Sequence, residues 1–309
     1  YKYHPEKYHP GSTKPCPQCG RKVCFTRYVD ASGNHVFPKH VGRCDHEHSC
    51  GYHFTPSDYF RENPEESISL SRKHVITPKN SFVPIQEQPP SLIDGSIMEQ
   101  TLSHYAINPL YTFLARCMGK EEADRLCSLY RIGTSRKWGG AAVFWQVDCS
   151  GRVRTGKIML YDATTGKRVK HPQSHVCWVH TEIRLKDYHL RQCFFGEHLL
   201  PLYPDRKVFV VESEKTAVIA SHFMPDVLWI ATGGKNGCFN ERTVSVLAGR
   251  DVVLMPDLGA TQEWQARIPI LDKNCRSVSV NDMLETMATE EQRSQGLDIA
   301  DFLLMEDTP

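Results

Sequence analysis

The 309-residue sequence predicts an α/β protein in three parts. These are a short N-terminal β-ribbon rich in cysteine, an α+β subdomain rich in basic residues, and a C-terminal α/β domain built on a parallel sheet. Three observations predict this order. Five of the twelve cysteines lie in the first 50 residues, residues 131–191 are strongly basic, and short apolar runs alternate with helical segments beyond residue 205. With 40% hydrophobic and 10% aromatic residues, the chain can build a packed core.

Changes in composition predict the boundaries of these parts. The ribbon covers residues 11–60, a linker residues 61–94, the basic subdomain residues 95–204, and the parallel-sheet domain residues 205–309. The linker has five prolines, many Ser, Glu and Gln residues and little periodicity, which is typical of irregular structure.

The ribbon contains two pairs of cysteines with the spacing of a zinc site. Cys16 and Cys19 are followed by Gly20, and Cys44 and Cys50 follow after 24 intervening residues. Together with the short β-like pieces Val23–Val29 and His35–Phe37, this spacing indicates a structural Zn²⁺ held between two corners of a β-ribbon. A module with so few large apolar residues would need such a metal to fold.

Two alternatives remain open at this zinc site. The gap of five residues between Cys44 and Cys50 is long, so His46 or His48 could replace one sulfur. The fifth cysteine, Cys24, is interpreted as a buried thiol and not as a ligand.

The basic subdomain combines helices with strands and carries a strong excess of positive charge. Helical patterning up to Tyr130 precedes three strand-like runs, Ala141–Val147, Arg152–Tyr161 and His175–His180. Residues 131–191 hold twelve Lys or Arg and four Asp or Glu. Residues 205–309 hold ten Lys or Arg and seventeen Asp or Glu. This asymmetry suggests that the basic segment guides a polyanion toward a carboxylate-rich site that needs divalent cations. The alternative is that these charges lie on solvated faces of the protein.

Three tryptophans lie among these basic residues, Trp138, Trp145 and Trp178. Aromatic rings beside Lys and Arg are suited to stacking on single-stranded bases. For each of them, packing in the core is the better interpretation.

The last part of the sequence predicts a parallel sheet with a candidate active site. Continuous apolar strands alternate with helices, which indicates βαβ units. The predicted strands are Val208–Val211, Val227–Ala231, Val252–Met255 and Ser277–Val280, and the predicted helices are Lys215–Phe223, Glu241–Ala248, Thr261–Leu271, Glu290–Gly296 and Ile299–Leu304. Chemistry in such sheets lies beyond the carboxyl ends of the strands. Here those ends read Glu212-Ser-Glu214, Thr232-Gly-Gly234 and Asp257-Leu-Gly259.

These strand ends carry a family resemblance. Val208–Ala217, an apolar strand ending in Glu212 before a helix, resembles the first signature of the Toprim domain. Val252–Ala260 resembles the second signature, and Leu297–Leu304 resembles the acidic segment that closes the Toprim domain of many phage and plasmid primases. The resemblance implies a Toprim-like fold for residues 205–309.

The preceding segment extends the resemblance to nearly the whole chain. Gly140–Met159 is similar to the basic subdomain that precedes Toprim in bacterial and phage DNA primases, and Thr165–Lys170 and Phe194–Leu200 continue the likeness. The order of zinc ribbon, basic subdomain and Toprim is the order of those primases. The chain therefore resembles the primase-like proteins of phages and mobile elements.

The resemblance implies site residues. Glu212 and Asp257 would be catalytic, and together with Asp298 and Asp301, and in one arrangement Glu214, they would bind Mg²⁺ or Mn²⁺. The residues implied in binding nucleic acid or nucleotide are Arg152, Arg154, Lys157 and Lys170, and Lys235 is added because it lies in the loop after the second predicted strand, where it could meet phosphate. For Lys157 and Lys170 a solvated strand face is the alternative, and for Lys235 a plain tight turn.

The sequence departs from the Toprim pattern at two positions. Gly259 stands where the second Asp of Asp-x-Asp is normal, and Thr216 stands where Asp is frequent. Losing one carboxylate would remove a metal unless Asp298 compensates.

Three functions remain open. The leading one is a metal-dependent, primase-type nucleotidyltransferase that acts on single-stranded DNA in the replication of phages, plasmids or mobile elements. Its expected partners are single-stranded DNA or RNA and nucleoside triphosphates, and its expected location is the cytoplasm. The others are a noncatalytic single-strand-binding factor with a degenerate Toprim domain, and a Toprim nuclease. The 309 residues contain no Walker motif, so any unwinding would need a separate helicase, and no G-x-S-x-G motif. No apolar run approaches the ~20 residues of a membrane span, and residues 1–10 show no secretory signal.

Overall fold

The computed structural model describes residues 3–7, 9, 11–30, 32–45, 50–63, 88–234 and 238–306. Lys235, the alternative zinc ligands His46 and His48, and most of the predicted linker lie outside the described residues. The chain divides into two units, residues 1–85 and residues 86–309. The further division of the second unit at residue 205 stays a prediction.

The described part of the first unit is built on a four-stranded antiparallel sheet in the order β1-β2-β3-β4. The strands are β1 Tyr3–Pro5, β2 Phe25–Asp30, β3 Gly42–Cys44 and β4 His53–Phe54. Helix α1, Pro56–Glu62, begins at a capping box made by Thr55 and Asp58. The predicted strand His35–Phe37 is wrong. Phe37 is buried against the rings of α1, so its apolar character reflects core packing and not strand pairing.

The second unit contains an antiparallel sheet in the order β5-β6-β7-β8. The strands are β5 Ile132–Thr134, β6 Ala142–Val147, β7 Val153–Met159 and β8 Val176–Trp178. The helical segments around this sheet are α2 Gly95–Thr101, α3 Pro109–Met118, α4 Lys120–Leu129, α5 Val179–Glu182 and the 3₁₀ segments Tyr105–Ile107, Lys137–Gly139 and Glu197–Leu202. Sequence analysis did not predict β5, because three residues show no recognisable alternation.

The second unit also contains the predicted parallel sheet. Its strands are β9 Val208–Val211, β10 Leu228–Ala231, β11 Asp251–Leu254 and β12 Ser277–Val280, in the order β10-β9-β11-β12. All three pairings are parallel, so the prediction of a mixed α/β protein with a parallel sheet is confirmed. Val210 of the central strand pairs with Ile230 and Leu254. The carboxyl ends of β9, β10 and β11 therefore lie side by side.

Short helices connect and follow these strands. They are α6 Glu214–Phe223, α7 Glu241–Val244 with a 3₁₀ turn at Ser245–Leu247, α8 Thr261–Gln265, α9 Ile268–Asp272, α10 Met283–Met287, α11 Glu290–Gln295 and α12 Ile299–Glu306. The predicted helix Thr261–Leu271 is in fact two helices, because Pro269 suits the first turn of a helix but not its interior. None of the helices in the described ranges is long and apolar enough to cross a membrane.

One hydrophobic core joins the two sheets of the second unit. It contains Phe144 of β6, Phe195 and Trp229 of β10, all fully buried. The hydroxyl of Tyr130 donates to the carbonyl of Trp229 at 3.0 Å, and Phe195 forms a β-bridge with Ala231. The strand β7 is thereby held near the carboxyl edge of the parallel sheet.

Candidate functional site

The four predicted zinc ligands come together in the first unit. One sulfur from each of Cys16, Cys19, Cys44 and Cys50 lies within 4.8 Å of all the others. The Sγ–Sγ distances are 3.7 Å for Cys16 to Cys50 and 4.0 Å for Cys19 to Cys44. A tetrahedral zinc with Zn–S bonds of about 2.3 Å needs sulfur atoms about 3.8 Å apart. The cluster therefore fits a structural Zn²⁺.

The backbone around the cluster supports this interpretation. The amide of Gly20 donates to the carbonyl of Cys16 at 2.9 Å, which closes the first corner. A backbone hydrogen bond from Arg21 lowers the pKa of the Cys19 thiol to about 7, whereas, against a backbone hydrogen bond from Tyr52, burial and the other three thiols raise the pKa of Cys50 to about 11. The thiol of Cys24 donates to the carbonyl of Arg21 at 3.1 Å and is buried 3.9 Å from the Cys44 sulfur.

A cavity of about 410 Å³ lies at the carboxyl edge of the parallel sheet. The strand ends supply Glu212 after β9, Gly233 and Gly234 after β10, and Asp257 after β11. The other residues that line it include Lys157, Tyr161, Lys167, Arg168, Lys170, His171, Glu214, Lys215, Asp298 and Asp301. The structure thus brings together all the predicted carboxylates and two of the predicted basic residues, Lys157 and Lys170.

Asp257 has the environment of a cation ligand. Its Oδ1 atom is buried and has no hydrogen-bond partner in the described part of the chain. Burial, with the negative charges of Asp298, Glu212 and Asp301, raises its pKa from 3.8 to about 8. An unpaired carboxylate oxygen among other carboxylates is a costly arrangement that a divalent cation would relieve. The residues present therefore fit a hard cation at Asp257 and the half-buried Glu212.

Asp298 and Asp301 have a local structural role as well. Oδ1 of Asp298 accepts hydrogen bonds from the amides of Ala300 and Asp301 at 2.9 and 3.1 Å, and Oδ2 of Asp301 accepts from the amide of Asp298 at 3.1 Å. This reciprocal pair caps the N-terminus of α12. The other Asp298 oxygen accepts a hydrogen bond from the Thr216 hydroxyl. The two carboxylates thus add negative potential to the cavity while Oδ1 of Asp298 and Oδ2 of Asp301 are engaged in the cap.

Lys157 and Glu214 form a buried ion pair across the cavity wall. The Nζ atom of Lys157 lies 3.0 and 3.3 Å from the two Glu214 oxygens and 2.5 Å from the carbonyl oxygen of Gly233. Both side chains are buried. Glu214 therefore has its own cationic partner within the described residues.

Exposed cations also line the cavity. Lys167, Arg168 and Lys170 lie on the segment between β7 and β8, and their side chains form no hydrogen bond or ion pair with any described residue. Lys215, at the start of α6, is likewise unpaired in the described ranges. Of these four cations, Lys170 is the one to which the sequence assigned a binding role. The run Thr165–Lys170 could have indicated Lys167 and Arg168 as well.

Arg152 and Arg154 lie elsewhere and do not line the cavity. The Nε atoms of both donate to Oδ2 of Asp148, at 2.9 and 2.8 Å. Burial alone would raise the pKa of Asp148, but hydrogen bonds from the Arg152 and Ser150 amides and from Arg154 hold it below 3.8. This cluster closes the turn between β6 and β7. This ion-pair cluster was not predicted from the sequence.

Gly259 occupies an exposed turn after β11. Its φ angle is +83°, and its amide donates to Oε1 of Glu285 at 2.6 Å. The Glu285 carboxylate is also paired with Arg293 at 2.8 Å and is not among the residues of the cavity.

Two family models match parts of the sequence. A zinc β-ribbon finger matches residues 1–65, and a domain of unknown function, DUF6371, matches residues 108–258. The second match includes Glu212 and Asp257 but ends before Asp298. A comparison with curated proteins gives no match.

The solved structures that this chain resembles include primases. The primase fragment of the bacteriophage T7 primase-helicase protein is 13% identical, with 96% of this chain and 98% of that chain covered and a TM-score of 0.38. The Escherichia coli primase catalytic core is 13% identical, with 68% and 81% covered and a TM-score of 0.40. The Aquifex aeolicus primase zinc-binding and RNA polymerase domains are 13% identical, with 98% and 85% covered and a TM-score of 0.35. At such low identities and TM-scores, the likenesses carry no argument about the chemistry of this chain.

Proposed function

We propose that the protein is a primase-type nucleotidyltransferase that extends a short chain on single-stranded DNA. The observation that carries this proposal is the composition of the cavity at the carboxyl edge of the parallel sheet. Glu212 and Asp257 form an acidic floor, and the unpaired Lys167, Arg168 and Lys170 form a basic wall. A metal-bound polyphosphate has the same two needs, hard oxygen ligands for its cation and positive charge for its phosphates.

The acidic floor supports a requirement for Mg²⁺ or Mn²⁺. Asp257 would hold the cation through its unpartnered Oδ1 atom, and Glu212 lies on the adjacent strand. When bound, a divalent cation neutralises the charge that develops on the phosphate oxygens. Without a cation, Asp257 holds a proton at neutral pH, because its pKa is raised to about 8.

The proposed reaction forms one phosphodiester bond. The 3′-hydroxyl of the growing chain attacks the α-phosphorus of a nucleoside triphosphate while the α–β phosphoanhydride bond breaks and pyrophosphate leaves. Glu212 accepts the proton of the 3′-hydroxyl, since its carboxylate directly follows the central strand β9. Lys167, Arg168 and Lys170 hold the triphosphate and the template by charge, because their ammonium and guanidinium groups have no partner within the described residues.

A noncatalytic single-strand-binding role is the second candidate, and Gly259 is the observation that favours it. The position lacks the second Asp of the Toprim pattern, and the oxygens of Asp298 are engaged by the cap of α12 and by Thr216. A site that holds fewer cations would bind a polyanion but transfer nucleotides slowly.

The deciding experiment combines synthesis and binding. Wild-type protein is incubated with single-stranded DNA, labelled nucleotides and Mg²⁺ or Mn²⁺, beside Glu212→Gln and Asp257→Asn. Exposed Glu241, which is paired with Lys273, provides the control variant Glu241→Gln. We expect short products from the wild type and the control, none from the other two variants, and DNA affinity within about twofold for all four. Binding without products would leave the binding-factor candidate, and shortened DNA would indicate a nuclease.

A further inference from the structure

Lys157 lies at the centre of a hydrogen-bond network that reaches Glu212. An ammonium group has three donors, and those of Lys157 have three acceptors: the two Glu214 oxygens and the carbonyl of Gly233. The amide of Gly233 in turn donates to the carbonyl oxygen of Glu212 at 3.0 Å. The Thr232 hydroxyl lies 3.4 Å from the same Glu212 carbonyl. Lys157 thus contacts the start of α6, two residues after Glu212, and the turn after β10.

The turn at Gly233 is built around this ion pair. Its φ angle is +75°, and a Cβ atom at this position would lie 3.1 Å from Oε1 of Glu214. A side chain here would meet both a strained backbone and the buried carboxylate. The turn can therefore approach the Lys157–Glu214 pair this closely because residue 233 is a glycine. The buried geometry of the pair depends on that glycine in the same way.

Burial leaves little of the pair exposed to solvent. Lys157 is 9% exposed and Glu214 is 2% exposed. Removing one partner of such a pair leaves an uncompensated charge, whereas replacing both with apolar groups of similar volume is often tolerated. Three other cations of the cavity, Lys167, Arg168 and Lys170, are exposed and suited to an external anion.

We infer that Lys157 and Glu214 act as a positioning pair, which sets the backbone of Glu212 through Gly233, and that neither binds template or cation directly. The inference rests on the proposed function for what Glu212 does. It assigns Lys157 a role different from the template contact that the family resemblance implies, and it removes Glu214 from the cation ligands. Substrate binding would then depend on the exposed basic wall alone.

The test uses a charge-neutral double variant, Lys157→Met with Glu214→Met. Its control is Lys273→Met with Glu241→Met, which removes an ion pair of 2.7 Å whose partners are exposed. For a positioning pair, the double variant keeps the affinities for single-stranded DNA and Mn²⁺ within about threefold, while kcat falls about 10- to 100-fold through misplacement of Glu212. The control should change none of the three.

Two further readouts keep the inference testable if the wild type makes no product. Amide exchange at Gly233 should accelerate at least about tenfold in the double variant, whereas the amide of Met255, bonded to the Val210 carbonyl, should not change. Either single variant should lower the melting temperature more than the double variant does. Loss of Mn²⁺ affinity in the folded double variant would make Glu214 a ligand, and loss of DNA affinity would make Lys157 a contact; either overturns the inference. Unchanged Gly233 exchange also overturns it.

Discussion

The hydroxyl of Thr216 donates a hydrogen bond to Oδ2 of Asp298, and so connects α6 to the cap of α12. Thr216 is fully buried. A carboxylate in its place would face the Asp298 carboxylate, and the two like charges would repel each other. The threonine hydroxyl instead donates a hydrogen bond to Asp298. This bond explains how the Asp298 side chain is stabilised in the cavity without an additional cation.

Replacing Thr216 with Val should therefore destabilise the fold. Valine has the same shape but leaves the Asp298 oxygen without its donor, and a buried acceptor that loses its partner costs about 1–3 kcal/mol. Chemical denaturation measures the change. Thr243→Val is the control, because the Thr243 hydroxyl bonds to Asn240 at an exposed cap. Equal effects in the two variants would contradict the interpretation of the Thr216 bond.

Asp257→Asn should change how stability depends on pH. The pKa of Asp257 is about 8 in the folded state against an ordinary value of 3.8, so folding takes up a proton between these values and the wild type loses stability as pH rises from about 4 to about 8. Asparagine removes this loss. We expect the metal-free variant to melt several degrees above the wild type at pH 8, with little difference at pH 4.

Added Mg²⁺ provides the control for this prediction. The ionised Asp257 binds the cation and asparagine does not, so Mg²⁺ at pH 8 should raise the melting temperature of the wild type more than that of the variant. Melting curves that run parallel across pH, with and without Mg²⁺, would rule out an unpaired carboxylate at Asp257.

The zinc site should depend on four cysteines and not on the fifth. Metal analysis of freshly purified protein should give about one Zn²⁺ per chain. Cys44→Ser should remove the metal and unfold the first unit, because the small core around Cys16 and Phe25 includes the ligands themselves. Cys24→Ser should keep the zinc, since the Cys24 thiol bonds to the Arg21 carbonyl. Zinc lost in Cys24→Ser, or kept in Cys44→Ser, would point to a different ligand set.

Binding of single-stranded DNA should weaken steeply with salt. Each Lys or Arg that neutralises a phosphate releases a counterion, so Lys170→Met should lower the magnitude of the log–log salt slope by about 1. Lys273→Met is the control, because Lys273 lies in an exposed ion pair outside the cavity. Titrations at several salt concentrations measure both slopes. An affinity that does not vary with salt would exclude the basic wall as the binding surface.

The amino-acid sequence alone was enough to predict the parallel sheet and the residues at its carboxyl edge. Short, continuous apolar runs separated by helices are compatible with few other folds, and the residue after each run must then lie at one edge. Glu212 and Asp257 could be brought together on this ground alone. The spacing of Cys16, Cys19, Cys44 and Cys50 was equally informative, because two turns with paired thiols have few uses other than zinc.

The pairing of the charged side chains, in contrast, depends on how the folded chain packs. Lys157 and Glu214 form an ion pair although they are 57 residues apart in the chain. Asp148 pairs with both Arg152 and Arg154 at a turn whose geometry depends on the β6–β7 register. The Asp298-x-x-Asp301 spacing suits a cation site and a helix cap equally, and the amides of α12 show that it serves as a cap. A charge pairs with whichever opposite charge packing brings within a few ångströms, and sequence patterns report local periodicity and not those long-range distances.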